Sequence, residues 1–258
     1  MNGCMVVDLG LIAYADAWAL QKRVVAARKA GAIDDVLLFC EHPHVITLGR
    51  SGKRANLLAS ENVLRQKGVE YFETSRGGDI TYHGPGQIVG YPILNLGAIK
   101  RDVVWYVRML EEGMIRASRE LGISARREVG KTGIWVDHGS VTPHPSPITS
   151  YGAVSTGAGP EKLAAIGVHL SRWVTSHGFA YNVSTDLRYF DLIVPCGIAE
   201  RKATSLEKLL GRPVALNEVK PLLTKHFGDV FGLATKVIRR EELFEPLALA
   251  ERAVAVPA

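Results

Sequence analysis

The sequence feature that most constrains the fold is a series of short apolar segments that glycine and proline keep apart. The segments at 35–42 (DVLLFCEH) and 44–49 (HVITLG) are rich in apolar and β-branched residues and shorter than a typical helix, so they predict buried strands. Six further segments also predict strands: VEYFET, DITYH, QIVGYPIL, KTGIWVD, KLAAIGVHL and FAYNV. A sheet of many short strands is therefore expected.

Predicted helices alternate irregularly with these strands. The helical segments are 11–30, 60–68, 102–122, 205–228 (one or two helices) and 241–254. Ser60 and Asp102 are the predicted N-caps of two of them, because a side-chain oxygen there can accept a hydrogen bond from a free amide of the first turn. Glycines at 31, 68 and 122 are the predicted stops.

Residues 138–160 follow neither pattern. They contain no charged residue, and 15 of the 23 are Gly, Pro, Ser or Thr, a composition that cannot build a core. The strand patterns on either side are short, and neither half of the chain is complete alone. We therefore expect a flexible insertion within one domain spanning 1–258.

The charge balance and the absence of apolar runs narrow the functional classes. The chain has 31 Lys and Arg against 26 Asp and Glu, a formal net charge of +5. This excess does not form the basic stripe of a nucleic-acid binder, and it suits an acidic protein partner, an anionic substrate or a solvated surface alike. No apolar run approaches the ~18 residues of a membrane span, and the N-terminus does not resemble a signal peptide.

Three widely spaced cysteines without a CxxC pair favour free thiols in a reducing compartment, so a cytoplasmic protein is expected. Cys4 is expected to be a frayed terminal residue and Cys40 a buried, inert one. Cys196 lies between Pro195 and Gly197, which predicts an irregular turn at the end of an apolar segment. A nearby cation or helix N-terminus would lower its pKa from about 8.5; a buried inert thiol is the alternative.

Residues 76–87 (RGGDITYHGPGQ) form a second constellation. Two glycines, a short strand and a Gly-Pro-Gly turn give a backbone that can approach a ligand closely. The segment matches neither of the usual phosphate-binding loops. On spacing alone, a tight hairpin with a buried His83 is the commoner structure.

Lys162 opens an apolar strand directly after the insertion. A solvated lysine at a strand end is the simple interpretation. The functional one requires the fold to bring in a partner, because a lysine beside a thiol can hold it as thiolate and exchange protons with it. His42 and His44 lack an accompanying ligand pair, so no metal site is predicted.

Several segments together resemble the octanoyltransferases of lipoate biosynthesis. The matching stretches are RGGDITYHGPGQIVGYPILNL (76–96), KTGIWV (131–136), KLAAIGVHLSRWVTSHGFAYNV (162–183) and PCGI with the downstream TSL (195–206). They occur in the family's order, and the combination of TYHGPGQ with a late PCGI is highly specific. The insertion at 138–160 departs from the family, since it is longer than the usual connection.

The resemblance implies a fold and a reaction. The fold is an α+β domain like that of the biotin and lipoate protein ligases (class II synthetase-like), with a mixed sheet packed with helices. The reaction moves an octanoyl group from acyl carrier protein to the target lysine of lipoyl domains, in the E2 subunits of 2-oxoacid dehydrogenases and in the glycine cleavage H protein. It needs no cofactor, no metal, no nucleic acid and no membrane.

The resemblance also implies site residues. Cys196 and Lys162 match the family's catalytic dyad. The implied substrate contacts are Arg76, Gly77, Gly78, Asp79, Ile80, Thr81, Tyr82, His83, Ala165, Ile166, Gly167, Gly178, Phe179 and Ala180. Tyr91, Ile166 and Phe179 are expected around the acyl chain, and amides near Gly77–Gly78 or 165–167 are expected to stabilise the oxyanion.

Three other functions fit parts of the sequence. An ATP-dependent lipoate or biotin ligase would share the fold but needs no cysteine nucleophile, so PCGI disfavours it. A binding module that has lost its chemistry would not need both Cys196 and Lys162. A Cys–His amidase would pair Cys196 with His83 or His177 and would hydrolyse its substrate rather than transfer it.

Overall fold

The computed structural model of the protein describes residues 3–141, 159–194 and 202–255. Its strands are β1 (Gly3–Leu11), β2 (Asp35–Glu41), β3 (Val45–Leu48), β4 (Glu70–Glu73), β5 (Ile80–His83), β6 (Gln87–Ile93), β7 (Ile123–Arg126), β8 (Ile134–Val141), β9 (Glu161–Ser171), β10 (Val174–Asn182) and β11 (Ala234–Ile238). Its helices are α1 (Tyr14–Lys29), α2 (Glu61–Gln66), α3 (Leu96–Ile99), α4 (Val103–Glu120), α5 (Leu206–Leu210), α6 (Leu216–Phe231) and α7 (Arg240–Ala255), with 3₁₀ helices at Arg54–Asn56 and Leu187–Leu192.

Within the described ranges, eight strands form a main sheet in the order β11-β1-β2-β6-β10-β9-β8-β7. The pairs of β1 with β11 and with β2 are parallel, whereas the pairs from β2 to β7 are antiparallel. A smaller sheet has the order β4-β3-β5. The mixed α+β architecture that the sequence predicts is confirmed.

Helices cover both faces of the main sheet, and the side-chain period of two decides which residue meets which helix. In β2, Leu37 and Phe39 belong to the apolar cluster that α4 and α6 complete. Leu38 and Cys40 belong to the cluster that α1 and α7 complete. Because both faces are covered, β2 is apolar throughout, which explains its continuous apolar sequence.

Local capping explains where two helices begin. The Ser60 side chain accepts a hydrogen bond from the Val63 amide at 3.4 Å, and Asp102 accepts one from the Trp105 amide at 2.9 Å. Both predicted N-caps are therefore confirmed. None of the helices in the described ranges has the length and apolarity that a membrane span requires.

The structure contains three strands that the sequence did not predict, β1, β7 and β11, and it corrects two predictions. Cys4 is not frayed: it is buried in β1 between β2 and β11, paired with Asp35 and Thr235. β8 continues to Val141 and pairs there with Ile123, so the first four residues of the predicted insertion belong to a strand. Residues 142–158, which make up most of the rest of that insertion, lie outside the described residues.

Candidate active site

A cavity of about 510 Å³ is lined by residues of both sheets. The main sheet contributes Val89 and Tyr91 from β6, Ala180 from β10, Ala165 from β9 and Trp135 from β8. These four strands are consecutive neighbours. At about 4.8 Å for each of the three steps between strands, the lining extends about 14 Å across the sheet.

The opposite wall comes from the smaller sheet, from α1 and from the 3₁₀ helix Leu187–Leu192. Thr81 and His83 in β5, Tyr14 in α1 and Phe190 all line the cavity. The β6 end of the cavity is apolar and aromatic, whereas Lys131, Lys162 and Lys202 line the cavity with Trp135 at the β8 side. The site therefore combines an apolar region with a cationic one.

Most of the implied substrate-contacting residues line this cavity. They are Arg76, Gly78, Asp79, Ile80, Thr81, His83, Ala165, Ile166, Gly167, Gly178, Phe179 and Ala180, together with Lys162. The topology thus brings together segments that are about 100 residues apart in the chain.

Two of the implied contacts, Gly77 and Tyr82, do not line the cavity. Tyr82 alternates with Thr81 and His83 along β5, so its side chain points away from the cavity into a third apolar cluster. Its hydroxyl lies 2.8 Å from His44 Nδ1. The Gly77 amide donates to the Val168 carbonyl at 2.8 Å, so this amide is already engaged and does not suit the oxyanion role expected of it.

Alternation along the strands also determines where the expected acyl-chain residues point. Tyr91 faces the cavity side with Val89 and Ala180. Phe179 contributes to the cavity wall, but its ring packs on the opposite face of the sheet, 6.4 Å from the Phe39 ring. Ile166 packs against that same opposite cluster. The side chains toward the cavity are therefore small at β9 and β10, which leaves room for a ligand.

Close approach of the backbone explains two glycines of the site. A Cβ on Gly178 would collide with the Gly90 carbonyl oxygen of the neighbouring strand, and a Cβ on Gly167 would lie 2.8 Å from the Gly77 carbonyl oxygen.

The residue before Gly178, His177, has a φ of +54°, a left-handed conformation unusual for a residue other than glycine. The Gln21 side chain fixes it by accepting a hydrogen bond from its amide at 2.8 Å.

Lys162 is held by strands on both sides. Its amide donates to the Lys202 carbonyl, and its carbonyl accepts from the Thr204 amide, both at 2.9 Å. On the other side it pairs with Trp135 of β8, and its Nζ lies 4.6 Å from the centroid of that indole ring. The indole face attracts the ammonium. This pairing places Lys162 at the wall of the cavity instead of leaving it as a solvated strand end.

Cys196 lies outside the described residues. The chain on either side of 195–201 is attached to the site: the Val194 amide donates to the Asn56 carbonyl at 2.7 Å, and Ala203 forms a β-bridge with Lys162. Lys202 and Ala203 line the cavity. Seven residues therefore separate the Val194 anchor from the segment bonded to Lys162.

Burial keeps three histidines near the cavity neutral. Desolvation lowers the pKa of His83 to about 3, helped by the neighbouring His42, and lowers the pKa of His42 and of His177 to about 4. His42 Nδ1 lies 2.8 Å from the Ile12 carbonyl, which only accepts, so Nδ1 carries the proton. The other nitrogen therefore accepts from the Tyr91 hydroxyl at 2.7 Å.

Among the described residues, neither a cluster of metal ligands nor Cys40 lines the cavity. Within the described ranges, no three His, Cys, Asp or Glu residues come together as a metal site. Cys40 is buried as predicted, 3.5 Å from His42 Nε2, and burial raises the pKa of its thiol. A buried thiol with a raised pKa is a poor nucleophile.

Sequence reasoning missed several residues of the cavity wall. Tyr14, Val89, Trp135 and Asn182 line the cavity but belong to no implied contact. Gln87 also lines it, and its signal was present, since it closes the TYHGPGQ motif. Val89, Trp135 and Asn182 lie in the stretches that resemble the family, but only the tertiary structure brings their side chains, and that of Tyr14, to the site.

Solved structures with the same architecture define the class of protein. A crystal structure of lipoate-protein ligase A bound with ATP matches with a TM-score of 0.67 at 15% identity, over 98% of this chain and 95% of that one. A bipartite lipoate protein ligase from Thermoplasma acidophilum matches with a TM-score of 0.66 at 15% identity, over 98% and 93%. The fold is therefore that of the lipoate protein ligases.

Sequence similarity is more specific. Residues 13–228 match the lipoyl protein ligase A/B catalytic domain. A protein of Solibacter usitatus named octanoyltransferase is 49% identical over 90% of this chain and 94% of its own length. The chain belongs to the lipoyl protein ligase A/B family and, within it, to the octanoyltransferases.

Proposed function

We propose that this protein transfers an octanoyl group from octanoyl-acyl carrier protein to the target lysine of lipoyl domains, through a thioester on Cys196. The observation that carries the proposal is the cavity, whose apolar region adjoins Lys162, which is bonded to the segment that follows Cys196. The geometry suits one group of atoms in particular, a carbonyl at the end of an alkyl chain.

The first step is an exchange of thioesters. Lys162 as a cation favours the Cys196 thiolate, which attacks the donor carbonyl carbon. The bond from that carbon to the donor sulfur breaks, and the departing sulfur takes a proton from the Lys162 ammonium. The products are the octanoyl-enzyme and a free carrier thiol.

The second step forms an amide. The neutral amine of the acceptor lysine attacks the Cys196 thioester, the carbon–sulfur bond breaks, and Lys162 takes a proton from the attacking nitrogen. The enzyme returns to its thiolate and ammonium forms. Since an amide is more stable than a thioester, transfer is downhill and needs no ATP.

The cavity has the length that an octanoyl chain needs. With carbon–carbon bonds of about 1.5 Å, a zigzag of eight carbons extends about 9 Å, which fits within the lining from β8 to β6. Ala165 and Ala180 leave space over the sheet, and Val89 and Tyr91 form the far wall. Burial at about 0.8 kcal/mol for each methylene would give several kcal/mol of binding free energy.

The donor protein would approach the basic loop beside the cavity. Ser51 lines the cavity, and Arg50 and Lys53, next to it, are exposed or partly exposed. Arg54 lies 4.3 Å from the Tyr71 ring and 3.9 Å from Glu61, so its charge is partly engaged. We assign Arg50 and Lys53 to the acidic surface of the carrier protein.

The remaining assignments follow from this reaction. We propose that the acceptors are the lipoyl domains of E2 subunits of 2-oxoacid dehydrogenases and the glycine cleavage H protein, and that the reaction takes place in the cytoplasm. The chain acts as one catalytic domain, with the insertion that follows β8, from residue 142 onward, before Lys162. It requires neither cofactor nor metal.

Intact-mass spectrometry tests the proposal. The enzyme is incubated with octanoyl-acyl carrier protein without ATP, and a lipoyl domain is then added. We expect an octanoyl adduct on the wild type, its transfer to the lipoyl domain, and no adduct on Cys196→Ser. Cys40→Ser is the matched control and should keep the adduct. An adduct that persists on Cys196→Ser, or a requirement for ATP and free acid, would contradict the proposal.

A further inference from the structure

A line of buried hydrogen bonds leads from Arg76 along the wall of the cavity, where Arg76, His83, Gln87 and Asn182 all line it. Arg76 donates from Nε and Nη2 to Thr47 Oγ1, at 3.2 and 2.9 Å. Thr47 Oγ1 lies 3.5 Å from His83 Nε2, and His83 Nδ1 lies 2.8 Å from Gln87 Oε1. This part of the line crosses the smaller sheet and reaches the start of β6.

The line continues across the main sheet to the backbone beside Lys162. Gln87 Nε2 donates to Asn182 Oδ1 at 2.8 Å, and Asn182 Nδ2 donates to the Thr204 carbonyl at 2.9 Å. The side chains along the line are buried, and none of the five residues is more than 7% exposed. A buried amide is costly unless it is satisfied, so each member depends on the next.

All the hydrogen bonds in this line run in the same donor-to-acceptor direction. A guanidinium can only donate and a carbonyl can only accept, so its two ends are fixed. The Gln87 nitrogen is bonded to Asn182, so its oxygen faces His83, and the neutral imidazole donates from Nδ1 and accepts at Nε2. Bonds that point the same way polarise one another, and here they point from a cation towards the Thr204 carbonyl.

The acceptor at the end of the line belongs to the segment that holds Lys162. Lys202 and Thr204 bond the amide and the carbonyl of Lys162, both at 2.9 Å, and Ala203 bridges it. The same segment follows directly after residues 195–201, which include Cys196. Fixing the Thr204 carbonyl therefore fixes the segment that is bonded to Lys162 and that follows residues 195–201 in the chain.

We propose that Gln87 and Asn182 are positioning residues, which hold the segment 202–204, and through it Lys162, in place at the wall of the cavity. This inference rests on the proposed acyl transfer. Both side chains line the cavity, but in this inference they act through Lys162 and supply no proton. Their loss displaces the Lys162 ammonium and so weakens its support of the Cys196 thiolate.

The test uses Asn182→Asp in the full chain, because the variant keeps the shape of the side chain and replaces the N–H donor facing Thr204 with an acceptor. The rate of alkylation of Cys196 by iodoacetamide is measured against pH. The other two thiols, Cys4 and Cys40, are buried and should not react. We expect the apparent thiol pKa to rise and octanoyl-adduct formation to slow at least tenfold, with KM for the donor changed less than kcat. Gln87→Glu should act in the same direction.

Ser118→Ala is the control, since it also removes a buried hydrogen bond. Ser118 Oγ donates to the Met114 carbonyl and therefore accepts from Tyr181 OH, at 2.6 Å, in the apolar cluster that α4 and α6 complete. Its alkylation profile should match the wild type. If Asn182→Asp does not fold, Gln87→Glu carries the test one bond further from Thr204. A wild-type profile in the folded variants, or a change in KM alone, would overturn the inference. Alkylation needs no donor, so a wild type without any octanoyl adduct would contradict only the proposed function.

Discussion

The proposed role of Lys162 depends on its position in the fold, which the neighbouring residues in the sequence do not reveal. Strand pairing places it between Trp135 and the segment 202–204, with its ammonium 4.6 Å from the indole centroid. A cation held at the cavity wall can act on a thiol there, whereas a mobile lysine at a strand end would act weakly. The two interpretations of Lys162, a cation held at the cavity wall and a mobile strand-end lysine, predict different effects on the thiol when the charge of Lys162 is removed.

Lys162→Ala should raise the pH at which Cys196 is alkylated and slow octanoyl transfer by about 10²–10⁴. The reason is that the thiolate loses its neighbouring cation and both transfer steps lose their proton donor or acceptor. The measurement is the iodoacetamide rate against pH together with the transfer rate. Lys225→Ala, which removes an exposed charge on α6 that pairs with Glu120 of α4, should leave both unchanged. An alkylation profile identical to the wild type would contradict the dyad.

At the scale of elements, alternation along β10 separates a cavity residue from a core residue. Ala180 faces the cavity, whereas the ring of its neighbour Phe179 packs beside Phe39 on the other face. A larger side chain at 180 therefore occupies the space of the acyl chain, and a smaller one at 179 removes core packing instead.

Ala180→Leu should shift the preferred donor from octanoyl to a shorter acyl group. Phe179→Leu should keep the octanoyl preference while lowering the free energy of unfolding by about 1–3 kcal/mol through lost packing. The measurements are kcat/KM with hexanoyl, octanoyl and decanoyl carrier protein, and urea denaturation. A change of chain-length preference in Phe179→Leu but not in Ala180→Leu would show that the two faces are assigned the wrong way round.

The sequence predicted the elements that have a strong local signal, such as a capping side chain or an apolar run, and missed elements that lack one. The caps at Ser60 and Asp102 and the apolar run of β2 are local signals, and the structure contains all three. β11 is an edge strand with exposed side chains, including Val237, so it lacks an apolar run. β1 was missed although it is largely buried, and its buried Cys4 gains its environment only from β2 and β11.

At the scale of the whole molecule, buried histidines make stability depend on pH. The pKa of His83 is lowered to about 3, and that of His42 and of His177 to about 4. Below the unfolded value of about 6.5 the unfolded chain binds protons that the folded chain does not. Stability from these groups is therefore full above about pH 6.5 and falls as the pH decreases towards the folded values.

The free energy of unfolding should decrease between pH 7 and pH 5, with each histidine contributing at most about 1.4 kcal/mol per pH unit. Urea denaturation at several pH values measures this slope. His177→Gln should reduce the slope of the free energy of unfolding against pH by at most the contribution of one proton, about 1.4 kcal/mol per pH unit. The reason is that the variant no longer binds a proton at this position on unfolding. His226→Gln, at a buried site on α6 where the imidazole lies 2.7 Å from Glu120, is the comparison. A stability that is flat or rises from pH 7 to pH 5 would show that these histidines are not buried neutral.

The sequence by itself determined the main strands and the caps, because these depend on short-range periodicity and local hydrogen bonding, and its motif resemblance implied the α+β class. Through motif resemblance it also indicated most of the residues that line the cavity. Only the tertiary structure decided that Tyr82 and the Phe179 ring point away from the cavity, and that Trp135, Gln87 and Asn182 adjoin the site. The physical reason is that a side chain's surroundings depend on which strands become neighbours, and that pairing joins residues far apart in the chain.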